Sequence, residues 1–141
     1  MTMLTGALLA LAMQAAPAAE PWTWTLYEGE GPMVLANEVP DTPRLRATLE
    51  CVPGSSVARI ALYGDAADGF ARVVSGAAAA TTEARGVRGR LETTVRADHP
   101  VFAAFQTSGQ LTITVGELTR EVSIDRADLP KLRRFAERCA G

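Results

Sequence analysis

Leu111-Thr112-Ile113-Thr114-Val115, a Gly116-Glu117 pair, and Leu118-Thr119-Arg120-Glu121-Val122-Ser123-Ile124 read as two strands joined by a tight turn. Side chains alternate across a strand, so Leu111, Ile113 and Val115 share one side. Gly116 supplies the positive φ that a two-residue II′ turn requires. In the matching register Leu118, Arg120, Val122 and Ile124 share the partner face. Arg120 is the misfit there. It either snorkels at the rim with its stem buried or answers an inward carboxylate. A helix follows Asp128, with Pro130 in its first turn. Leu132, Phe135, Ala136 and Cys139 fall at i, i+3, i+4 and i+7, one apolar stripe. Cys139 therefore faces the core.

The strand pattern recurs upstream over residues 22–27, 33–37, 44–51, 57–63, 70–75, 77–84 and 90–97. In 44–51, Leu45, Ala47, Leu49 and Cys51 point one way, and Arg44, Arg46, Thr48 and Glu50 the other. Cys51 is thus inward as well. The chain has two cysteines, and two independent periodicities aim both at the core. A Cys51–Cys139 disulfide is expected. Free thiols or a metal pair are the alternatives, and His99, the single histidine, leaves a metal short of ligands. Asp98 is expected to cap a short helix with Pro100 in its first turn and Val101, Phe102 and Phe105 on its apolar side. Residues 107–109 end it. The expected fold is all-β: an antiparallel β-sandwich of roughly seven to nine strands with a short internal helix and a C-terminal helix.

Residues 1–19 carry no charged side chain, and Leu4 to Met13 form an apolar run too short to span a bilayer. Ala16 and Ala18 fit the small-x-small rule, so 1–19 reads as a signal peptide cut after Ala18 or Ala19. No Lys or Arg precedes the run, a departure from the usual pattern. Residues 20–141 then form a single periplasmic or secreted domain, which suits a disulfide.

A net charge of −2 argues against nucleic-acid or membrane-surface binding, and nothing after residue 19 is apolar enough to cross a membrane. Thirteen of the fourteen basic residues are Arg, so a single arginine carries little weight. The residues singled out for an interaction surface are Trp22, Trp24, Tyr63, Arg85, Arg88, Arg90 and Arg120. Trp22 and Trp24 at spacing two could stack on a sugar, but such aromatics on a first strand more often fill a core. The arginines at 85, 88 and 90 sit in a glycine-rich stretch that could meet a phosphate or carboxylate. A strand and not a helix follows, so the plainer reading is a solvated turn. Asp65 and Asp68 lack the spacing of a calcium loop. No metal, cofactor or catalytic residue is assigned. His99 beside Asp98 has no nucleophile-elbow serine to serve, and a hydrolase built on His99 is the weakest reading.

The short helix at His99 to Phe105, the hairpin over residues 110–124 and the closing Leu132, Phe135 and Cys139 resemble a family of small exported proteobacterial proteins of uncharacterised function. More distantly they are similar to the invasion-associated locus B family. That resemblance implies a periplasmic β-sandwich and carries over no catalytic residue. The function expected is a non-catalytic periplasmic binding or interaction module with a protein partner. The alternative is an inhibitor of a periplasmic or foreign hydrolase, a lysozyme or protease, presenting a protruding loop at 64–69 or 85–89.

Overall fold

A computed structural model describes residues 21–141. The expected signal peptide lies outside the described residues. The described residues form nine strands: β1 (Thr23–Tyr27), β2 (Met33–Glu38), β3 (Leu45–Cys51), β4 (Val57–Tyr63), β5 (Gly69–Ser75), β6 (Ala78–Val87), β7 (Arg90–Arg96), β8 (Gln110–Val115) and β9 (Leu118–Ser123). Helix α1 (Pro100–Ser108) separates β7 from β8. A single 3₁₀ turn (Arg126–Asp128) leads into α2 (Leu129–Ala140). The alternation read from the sequence places most of these within a residue or two.

The strands form one antiparallel sheet, ordered β1-β2-β3-β4-β7-β6-β5-β8-β9, curled into a half-barrel. Two facing sheets were expected, and the difference arises at one corner. The glycine-rich stretch 83–90 reads as a solvated turn in the sequence, but β6 continues to Val87 and pairs with β7 from Ala84↔Thr93 to Val87↔Arg90. The turn between them is only Arg88 (φ 50°) and Gly89 (φ 76°). Positive φ at both central positions matches a type I′ turn, whose twist keeps strands paired. That short ladder joins what would otherwise be two layers. Residues Ala78–Glu83 pair with β5 alone, so the sheet bends sharply there.

Both helices fill the concave side. α1 packs on β5 and β6, α2 on β1, β2 and β4, and the helices touch each other. Phe102 meets Phe105 edge-on at 5.8 Å, and Phe102 lies 6.4 Å from Phe135. The alanines of β5 and β6, with Ala71 and Ala84 buried, let α1 come close, as bulk-poor strands allow. The helix cap differs from expectation. His99 is the N-cap, its Nδ1 accepting from Val101 N–H at 3.0 Å. Asp98 instead accepts both hydrogen bonds of a fork from Arg96, at 2.9 Å each. At the other end Gly109 (φ 71°) closes the helix by donating to Phe105 C=O. A Cβ there would stand 2.2 Å from the Ile124 carbonyl oxygen, so the close approach of α1's end to the chain after β9 requires glycine.

Cys51 and Cys139 are joined, with Cα atoms 5.6 Å apart, and both are buried. The bridge is one of several ties on α2. The last helix carbonyls, which have no partner within a helix, accept from the β3–β4 loop: Gly54 N–H to Arg138 C=O and Ser56 N–H to Cys139 C=O. Glu28, in the β1–β2 turn, accepts from Arg134 at 2.8 and 2.9 Å and from Arg138 at 3.0 Å. Those guanidinium contacts, Arg134 foremost, hold the Glu28 carboxyl below its ordinary range. Lys131 donates to Trp24 C=O and to Asp128.

Candidate functional site

Two places carry exposed or unusual chemistry: the seam where the half-barrel nearly closes, and the outer face of the sheet. At the seam, β9 runs across one row of inward residues, Trp24↔Asn37↔Ala47↔Leu62, contributed by β1 to β4. Trp24 is 6 % exposed, and its indole N–H donates to Ser123 C=O at 3.2 Å. It is a core and closure residue, which corrects its place in the expected surface. Burial there satisfies both ends of an amphipathic ring. Arg120 closes the other end. Its guanidinium donates to Tyr63 C=O at 2.8 Å and to Asp65 C=O. Neither sequence reading of Arg120 foresaw this. It does lie at a rim, but it answers backbone carbonyls that the chain turn after β4 leaves open.

The loop at residues 64–68 lies flat against the β6–β7 hairpin. Asp68 accepts from Gly86 N–H at 2.7 Å, Gly64 N–H donates to Gly89 C=O at 2.8 Å, and Arg120 holds Asp65. The turn between β6 and β7, the other candidate loop of the inhibitor reading, is only Arg88-Gly89 and is exposed.

On the outer face, register sets side chains in rows across the strands. One row runs Val34↔Glu50↔Arg59↔Thr94, the next Ala36↔Thr48↔Ala61↔Glu92↔Arg85, and the third Tyr63↔Arg90↔Val87. Arg59 donates to Glu50 at 2.8 Å and Arg90 to Glu92 at 2.6 Å. In each case the neighbouring carboxylate raises the guanidinium pKa. Of the expected surface, Tyr63 and Arg90 are direct cross-strand neighbours, and Arg85 lies across from Glu92 in the adjoining row. Arg88 is exposed at its turn. Trp22 is half-buried, with Arg46 and Arg44 over its ring at 4.1 and 5.3 Å.

One outer-face residue was missed. Phe70 is 74 % exposed and opposes Glu83, beside an open hollow of ≈ 560 Å³ that Asp68, Glu83, Arg85 and Val87 also line. Strand parity could have found it, because Phe70 shares its face with Arg72 and not with Ala71 and Val73. Among the described residues no group of three His, Cys, Asp or Glu is placed to hold a metal ion, and no helix is long and apolar enough to cross a membrane. His99 Nδ1 is committed to its cap. No family model, curated protein or solved structure matches the chain.

Proposed function

We propose that the protein is a non-catalytic interaction module of the cell envelope, periplasmic or secreted, that takes a protein partner on the outer face of its sheet. The observation that carries this reading is Phe70, an aromatic ring 74 % exposed beside a hollow rimmed by Glu83, Arg85 and Asp68. A large apolar side chain ringed by charges is the usual make-up of an interface anchor: the ring supplies burial and the rim supplies orientation. Burying such a ring contributes about 2 kcal/mol. The charge rows beside it, alternating Glu50, Arg59, Glu92 and Arg85, offer a pattern that one complementary surface would match and others would not. The disulfide and the composition of residues 1–19 support an oxidising compartment.

Affinity capture from a periplasmic extract, with the protein and its Phe70→Asp variant as paired baits, tests the reading. A partner retained by the native protein and lost by a variant of unchanged melting temperature supports it. Equal recovery on both baits overturns it.

A further inference from the structure

We propose that the fork between β6 and β7 is a second site, which accepts one extended polypeptide segment as an added strand. The two strands pair as far as Ala84↔Thr93 and then part. Beyond that pair β6 keeps only β5, and β7 keeps only β4. Two threonines seal the point of division. Thr93 Oγ1 donates to Glu83 C=O at 2.7 Å and Thr82 Oγ1 to Thr94 C=O at 2.9 Å. Hydroxyls thus occupy the carbonyls that the next ladder pair would have used. An open hollow of ≈ 470 Å³ follows, with residues 79–82 on one wall and 94–96 on the other.

The main-chain groups left in the hollow select the ligand. A strand residue sends its N–H and C=O to one side, and its neighbours send theirs to the other. The Glu83 and Thr94 carbonyls face the fork, so the N–H and C=O of Ala79 and Thr81 face it too, as do the N–H groups of Thr94 and Arg96. The opposite parity agrees, because Ala97 N–H turns away to Ser56 C=O on the β4 side. Ala79 and Thr81 therefore present a donor and an acceptor each, repeating at about 7 Å, which is the repeat of another strand's backbone. Open edges of this kind are templates for strand addition, and proteins usually blunt them with Lys, Pro or a bulge. Residues 78–82 are Ala-Ala-Ala-Thr-Thr, and their register with β5 is unbroken. This edge carries no such guard. β7, backed by β4, stands opposite, so a second copy, whose own β6 lies within a sheet, cannot approach edge to edge; a free segment can enter. Its inward side chains would meet Ala80 and Val95, and its outward ones Ala79 and Thr81, with the exposed Arg72 opposite Thr81 on β5. The matching segment alternates apolar residues with hydroxyl or acidic ones.

The fork does not include Phe70, and its test is independent of the outer-face reading. A fluorescein-labelled Glu-Val-Thr-Val-Thr-Val-Glu peptide, blocked at both ends, is titrated with the purified protein and followed by fluorescence polarisation. Saturable binding below about 1 mM is expected. Thr81→Pro removes an N–H from the open edge, where a strand tolerates proline, and should weaken binding at least about tenfold with the circular dichroism spectrum unchanged. Thr81→Val keeps that N–H and should bind as the native protein does, as should Phe70→Asp. Where Thr81→Pro fails to fold, the peptide itself carries the test. N-methylation of one alternate set of its residues should weaken binding at least about tenfold, and of the other set leave it unchanged. Only one set turns its N–H groups to β6, and on the β7 wall the Thr94 and Arg96 carbonyls are already taken, by Thr82 Oγ1 and by His99 N–H. No saturable binding, equal effects of the two methylated sets, loss with Thr81→Val or Phe70→Asp, or self-association of the protein that Thr81→Pro abolishes would each overturn the site.

Discussion

Reduction of Cys51–Cys139 isolates the contribution of the cross-link. The bridge spans 88 residues of sequence. In the chain-entropy treatment a loop of that size removes about 15 cal/mol/K from the unfolded ensemble, or about 4.6 kcal/mol at 25 °C. The native side changes little on reduction. Both sulfurs remain in their buried places as thiols, the Gly54 and Ser56 N–H groups still hold the end of α2, and Glu28 still holds Arg134 and Arg138. The whole difference therefore falls on the unfolded chain. Against a typical domain stability of about 5–15 kcal/mol, the reduced form loses between about a third and nearly all of it. The assay is urea unfolding of the oxidised protein and of protein reduced in denaturant and refolded under reductant, with a two-proton mass difference verifying the redox state. A midpoint lower by about 2 M urea in the reduced form is expected for a slope of about 2 kcal/mol/M. A difference under about 1 kcal/mol would refute the reasoning, because it would mean the unfolded chain gains little freedom when the bridge opens.

Other substitutions probe the remaining joints. His99→Ala removes the acceptor for Val101 N–H and should lower stability by about 1 kcal/mol in urea unfolding, while His99→Asn restores most of it. Gly109→Ala forces a Cβ against the Ile124 carbonyl at positive φ and should destabilise by more than about 2 kcal/mol, with lost amide-exchange protection at the α1–β8 junction. The folded pKa of Glu28 is depressed, so its contribution is complete above the ordinary glutamate range and disappears as pH falls through the depressed value. Glu28→Gln should therefore lower the melting temperature at pH 7, and the gap from the native protein should close below about pH 4. Arg120→Met keeps the buried stem but strands the Tyr63 and Asp65 carbonyls. Faster hydrogen exchange in residues 63–68 is the expected signature, and unchanged exchange there would count against the seam contact.

Periodicity made the body of the fold legible. Residues 57–63 alternate so regularly that β4 has the same bounds in sequence and structure, and the i, i+3, i+4, i+7 stripe placed Cys139 opposite Cys51 correctly. The misses share a cause: they depend on where distant strands arrive. Trp22 and Trp24 look alike in sequence, yet β9 crosses over Trp24 and supplies the Ser123 carbonyl ninety-nine residues away. The partners of Arg120 are main-chain oxygens, which have no sequence signature. Asp98 suits a cap by residue type, but α1 starts at Pro100, which makes His99 the N-cap, and the Asp98 carboxylate is taken by Arg96. Reading residues 83–90 as a loop followed from the three arginines and two glycines between 85 and 90, whereas only Arg88-Gly89 turns. That one misreading hid the joining of two layers into a single sheet. Phe70 is visible by parity, but the sequence reading assigns no faces to the strand at 70–75.

Photo-crosslinking in living cells tests the interaction surface most directly. A benzophenone amino acid placed at Phe70 is compared with one placed at Tyr27, also exposed but on edge strand β1, six strands away across the sheet. A discrete protein adduct at position 70 that is absent at position 27, and abolished by Arg85→Glu, is the expected result. No adduct at position 70, or the same adduct at both positions, would contradict a partner-binding outer face centred on Phe70.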